Sequence, residues 1–106
     1  MNRTEDEFRN LIQDLTHDIE ELLVIKNRKY GNSFDKTRDK YGPLAFVLRL
    51  EDKFNRVFSL IKNDDVGTFD ESIEDTIKDI IGYCVLEILY REENAKKIKE
   101  VIDKIV

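Results

Sequence analysis

The stretch DESIEDTIKDIIGYCVLEILY, Asp70 to Tyr90, decides the fold. Read as a helix, it places Ile73, Ile77, Ile80, Ile81, Cys84 and Ile88 on one face, at the spacings of three and four that bury a stripe. The opposite ridge begins with Glu71, Asp75 and Asp79, one turn apart, and after Gly82 becomes Leu86 and Leu89 with Val85 beside them. A helix whose second half is apolar all round is normally buried on both sides. The carboxylate row therefore runs into an interface, where it needs cations, a metal or a ligand's donors. The alternative is a solvated acidic turn at a helix start, where the macrodipole favours negative charge. That alternative accounts for Glu71 and Glu74 better than for Asp79.

The chain around this stretch bounds the possibilities. Its 106 residues make one domain, 1–106, with room for a modest core. With 41% hydrophobic and 39% charged residues it reads as amphipathic helices, neither disordered nor membranous. No apolar run approaches the roughly 20 residues of a membrane span, and the start lacks an apolar signal core, so a cytoplasmic location is expected. The single cysteine, Cys84, cannot form an internal disulfide and reads as a small core residue. His17 points away from the apolar face and has no second histidine to join in binding a metal.

The net charge of −5 is unevenly spread. Between Lys26 and Arg56 nine basic residues face four acidic ones, a segment of +5 that leaves −10 for the rest. An acidic chain with one basic segment is a poor match for duplex DNA, which demands many phosphate contacts. It is better suited to a small anionic ligand held beside carboxylates.

Taken in order, Thr4 to Glu7 forms a capping box, and a long helix follows to about Arg28. Its stripe is Phe8, Leu11, Ile12, Leu15, Ile19, Leu22 and Leu23. Lys26 extends that stripe, with Lys29 close by; either the lysines snorkel to water at the helix end or they face carboxylates or a phosphate. Gly31 caps the helix. From Tyr30 to Pro43 the sequence reads as a loop rich in donors (Asn32, Ser33, Thr37, Arg38) and stacking groups (Tyr30, Phe34, Tyr41), which is equipment for a base and phosphates. Pro43 opens a second helix to about Lys62, with Val47, Leu50, Phe54, Val57, Phe58 and Ile61 as its apolar stripe. Arg49, Asp52, Lys53 and Arg56 line roughly the opposite side, either as a solvated face or as a phosphate clamp. After a turn, Asp70 caps the third helix. Arg91 to Asn94 reads as a break before a last amphipathic helix with Ala95, Ile98, Val101, Ile102 and Ile105 apolar. The expected fold is an all-α antiparallel bundle of four helices, or three if the last two are continuous.

Three motifs in this order resemble the nucleotide modification-associated domain family, first type, which comprises small helical proteins of phages and bacteria. They are Lys29-Tyr-Gly-Asn-Ser-Phe34, Arg49-x-x-Asp52-Lys53-x-x-Arg56 and Glu71-Ser72-x-x-Asp75-x-x-x-Asp79-x-x-x-Tyr83. The resemblance covers Lys26 to Tyr90 and implies nucleotide-related work, often in a phage setting. A more distant similarity is to the all-α, MazG-like NTP pyrophosphatases, whose magnesium-holding pairs Asp18-x-x-Glu21 and Glu71-x-x-Glu74 approximate.

The resulting expectation is a protein that binds a small nucleotide as a homo-oligomer, in the manner of a phage protein sequestering a signalling nucleotide. The candidate ligand-binding residues are Lys26, Lys29, Tyr30, Asn32, Ser33, Phe34, Arg49, Lys53, Arg56, Asp75, Asp79 and Tyr83. The alternative is a magnesium-dependent nucleotide-processing enzyme, with Glu71, Asp75 and Asp79 on the metal. No nucleophile stands out, and no cofactor other than that magnesium is implied. Oligomerisation is expected through Val85, Leu86 and Leu89.

Overall fold

A computed structural model describes residues 2–63 and 71–106, with the side chains of Glu71 and Ser72 outside that description. The described residues are all-α: α1 (Glu5–Tyr30), α2 (Ser33–Tyr41), α3 (Leu44–Lys62) and α4 (Glu71–Ile105). They group into two compact units, Met1–Ser33 and Phe34–Val106. The expected cap at Asp70 falls outside the described residues.

The first unit is essentially α1. Thr4 caps it in extended conformation, its hydroxyl accepting from the Glu7 amide at 3.1 Å, and Glu5, Asp6 and Glu7 complement the dipole. Gly31, at φ 62°, closes the other end with its N–H on the Asn27 carbonyl. Asn32 follows with a second positive φ of 61°, a conformation that asparagine tolerates better than most residues. Two left-handed residues in succession end the helix.

The second unit departs from the sequence reading in two places. The expected loop between Tyr30 and Pro43 is largely helix, because Ser33 to Tyr41 contains neither glycine nor proline. Phe34, Arg38 and Tyr41 recur at spacings of four and three, which is the helical signal that the wealth of donors obscured. Gly42, at φ 78°, then turns the chain, and Pro43 caps α3. The expected break at Arg91–Asn94 is also absent: α4 runs unbroken for 35 residues. Nothing in those four residues breaks a helix, and Arg91 reinforces it by donating to Glu87 one turn back at 2.6 Å.

The faces that pack are a further correction. α3 and α4 run antiparallel, with Lys53 opposite Asp79 and Arg49 opposite Tyr83. The ridge of α4 that meets α2 and α3 is Thr76, Asp79, Tyr83, Glu87 and Tyr90, and not the isoleucine stripe. Ile77, Ile81 and Ile88 are exposed, while Ile73, Ile80 and Cys84 are half-buried. On α3, Val47, Phe54, Phe58 and Ile61 are likewise exposed, whereas Arg49 and Lys53 are half-buried. On α1, Ile19 is buried, but Phe8, Leu11, Ile12 and Leu15 are exposed. The physical reason lies in complementarity. α2 and α3 present cations and aromatic rings where α4 presents carboxylates and phenols, and charge-assisted hydrogen bonds at these sites satisfy groups that would otherwise be costly to bury.

Candidate functional site

The site is built around Tyr83 at the middle of α4. The Phe34 ring from α2 lies 6.2 Å from the Tyr83 ring at 31°, and Phe34 is buried. The Arg49 guanidinium sits 5.4 Å over Tyr83 and 6.0 Å over Phe34. Its Nη2 donates to Thr37 Oγ1 at 3.2 Å and its Nη1 to the Tyr83 hydroxyl at 3.4 Å. Three helices thus fix one arginine, which holds its planar fork in place with donors left over. One turn further along α3, Lys53 donates to Asp79 Oδ2 at 3.2 Å. Both side chains stay partly accessible, so this pair is reachable from solvent.

Arg49, Asp52, Lys53, Arg56 and Tyr83 together line a pocket of about 440 Å³ between α3 and α4. The Arg49-to-Arg56 stripe that the sequence left open between solvated face and ligand clamp is therefore a pocket wall. Asp52 and Arg56 are exposed, while Arg49 and Lys53 reach into the helix interface. Three cations and one lining carboxylate, with Asp79 behind Lys53, leave the pocket positive in a chain that is negative overall.

Behind the pocket lies a second polar layer. Arg38 donates from Nε and Nη2 to the two carboxylate oxygens of Glu87, at 2.8 and 3.1 Å. Both residues are buried, and Arg91 also donates to Glu87. The hydrogen bond to Arg38 holds the Glu87 carboxyl below its ordinary value despite burial, and the same bond raises Arg38. The Arg38 guanidinium covers the Tyr90 ring at 4.6 Å, and the Tyr90 hydroxyl donates to Asp39, which pushes the phenol above its ordinary value. This layer clamps α2 to α4 and so fixes Phe34 and Thr37 against Arg49. Glu87 was not singled out in the sequence, and Arg38, read there as a loop donor for a base and phosphates, is instead committed to Glu87. The fork of Arg38 finds its partner 49 residues away, beyond the reach of local spacing.

Of the sequence candidates, Phe34, Arg49, Lys53, Arg56, Asp79 and Tyr83 come together here. Asp75 is exposed one turn before Asp79. Lys26, Lys29, Tyr30, Asn32 and Ser33 belong to the first unit. There Lys26 is half-buried, and Lys29 sits 5.8 Å over the Tyr30 ring. For the magnesium alternative, no group of three His, Cys, Asp or Glu among the described residues could hold a metal ion. Asp79 already carries Lys53, and the Glu71 side chain lies outside the described residues. Among the described residues no helix is long and apolar enough to cross a membrane. No family model matches this chain, and neither a curated protein nor a solved structure matches it.

Proposed function

We propose that the α3–α4 pocket binds a small nucleotide, with its phosphates on Arg49, Lys53 and Arg56 and its base against the Tyr83 edge of the aromatic pair. The observation that carries this reading is the convergence of three cations and a tyrosine ring in one pocket of about 440 Å³. That volume falls within the roughly 300–1,000 Å³ of small-molecule sites. A phosphate has the geometry that the arginine forks match, and Lys53 supplies a point charge beside them. Asp79 holds Lys53 toward the pocket, and Asp52 at the rim offers an acceptor to a base or ribose.

The resemblance of the three motifs to the nucleotide modification-associated domain family points the same way. A protein of this kind retains its ligand without turning it over, as in the sequestration of a signalling nucleotide by a phage. Assembly into a homo-oligomer is a separate proposal, because the residues that line the pocket here belong to one chain. Calorimetric titration of the full chain with linear and cyclic nucleotides, with and without magnesium, followed by chromatography of the recovered ligand, tests the reading. Saturable binding with intact ligand is the expected result. Magnesium-dependent product, or no binding by any phosphate-bearing member of the panel, overturns it.

A further inference from the structure

One group in the lining of the α3–α4 pocket has no use in holding phosphate. Asp52 is the single carboxylate there, set among Arg49, Lys53, Arg56 and Tyr83. On α3 it stands three residues after Arg49, one before Lys53 and four before Arg56. A phosphate drawn to those cations therefore arrives beside a negative charge. The helix gives Asp52 no structural task. α3 begins at Leu44, which leaves Asp52 about two turns inside, past the positive helix end and with no cap to make. Arg56 follows it at the spacing, and in the order, that favour an ion pair on a helix. Among the described residues, however, neither Asp52 nor Arg56 makes an ion pair or hydrogen bond through its side chain. Asp79 differs, since Lys53 donates to it at 3.2 Å. Both charges of the Asp52–Arg56 pair are thus left for a ligand.

We infer that Asp52 accepts from the vicinal 2′- and 3′-hydroxyls of a ribose, which makes the pocket selective for ribonucleotides over 2′-deoxyribonucleotides. This rests on the reading of the pocket as a nucleotide site and names the sugar that the site takes. An ionised carboxylate only accepts hydrogen bonds, so Asp52 requires donors, and it requires them close to the phosphate that its neighbours hold. Within a nucleotide the sugar adjoins the phosphate. The base lies one sugar further off, where the Tyr83 ring offers a face for stacking. A base edge would have to reach back past the sugar to meet the same carboxylate. The two adjacent hydroxyls of a ribose match the two oxygens of Asp52, and a 2′-deoxyribose brings only one of them. Dinucleotide-binding folds use the same chemistry when an acidic side chain accepts from a ribose 2′-hydroxyl. The hydroxyls also offset the charge of Asp52, which inorganic pyrophosphate, carrying negative charge without a sugar, meets as repulsion.

Calorimetric titration with matched ribo- and 2′-deoxyribonucleoside 5′-phosphates of each base, and with inorganic pyrophosphate, tests this on the full native chain and on Asp52→Ala. The native chain should bind the ribose form about tenfold more tightly, the lower end for a hydrogen bond to a charged group. Asp52→Ala removes an exposed side chain from a helix interior, so its melting temperature should match or exceed the native one. In that variant the two sugars should bind alike, and pyrophosphate should bind more tightly than to the native chain. A damaged fold does not lose sugar selectivity while gaining affinity for pyrophosphate. Equal native affinity for the two sugars, or a ribose preference that survives Asp52→Ala, overturns the inference and leaves the nucleotide reading in place. So does a substitution that shifts preference among bases instead of sugars, or one to which pyrophosphate binding is indifferent. Failure of every nucleotide to bind the native chain overturns both.

Discussion

Arg56 is the most accessible of the three pocket cations, and no neighbour in the described structure shares it in the way that Tyr83 and Thr37 share Arg49. Its role in the proposed function can therefore be separated from stability. Arg56→Ala should weaken nucleotide binding by about 1–3 kcal/mol, the scale of a hydrogen bond to a charged group, with little change in melting temperature. Titration of the variant with whichever nucleotide binds the native chain tests this, and unchanged affinity assigns Arg56 to solvent. Glu87 is the opposite case. Removing one partner of a buried pair leaves the other charge uncompensated, so Glu87→Gln should cost about 3 kcal/mol of stability at neutral pH. The sign of the pH dependence follows from the lowered carboxyl. Its folded-state value lies beneath the ordinary 4.5, so its contribution is complete above that value and is lost as pH falls through the lowered one. Denaturation of both proteins between neutral pH and pH 3 should show a constant gap that closes below about 4.5.

At the scale of the elements, periodicity in the sequence was enough to locate α1, α3 and the start of α4, along with the Thr4 and Gly31 caps. It was not enough to say which face of each helix packs. Spacing tells which residues share a face, and α4 carries two regular faces: Thr76–Asp79–Tyr83–Glu87–Tyr90 and Ile77–Ile81–Cys84–Ile88. Choosing between them depends on what α2 and α3 present, and α2 itself was obscured by the loop-like donors of Asn32 to Arg38. Arg49, Lys53, Arg56 and Tyr83, which line the pocket, were legible as candidates because charge and aromatic character survive an error about which face is inside. The Arg38–Glu87 clamp was not legible, because it joins distant segments. The continuity of α4 through Arg91–Asn94 gives a test at this scale. Glu93→Pro removes the bond from residue 93 to the Leu89 carbonyl and sets the proline ring against it, at a cost of roughly 3 kcal/mol or more within a helix. Were residues 91–94 a connecting loop, the same change would be neutral or slightly stabilising through the unfolded chain. Urea denaturation distinguishes the two outcomes.

For the whole molecule, the proposed homo-oligomer makes stability a question of concentration. A chain that associates with its own copy gains an association term that a monomer lacks, so its melting temperature should depend on how much protein is present. A tenfold increase in concentration strengthens the folded dimer by about 1.4 kcal/mol, shared between two chains. For a chain of this size, 1 kcal/mol moves the midpoint by roughly 4–8 °C, so each decade of concentration should raise it by a few degrees. Differential scanning calorimetry across two decades of concentration reads this directly. The pocket lining belongs to one chain, so a saturating nucleotide should raise the midpoint and leave the concentration slope of the native chain in place. A ligand that abolished that slope would mean that pocket and subunit contact are coupled. A native midpoint independent of concentration would mean that the chain works as a monomer.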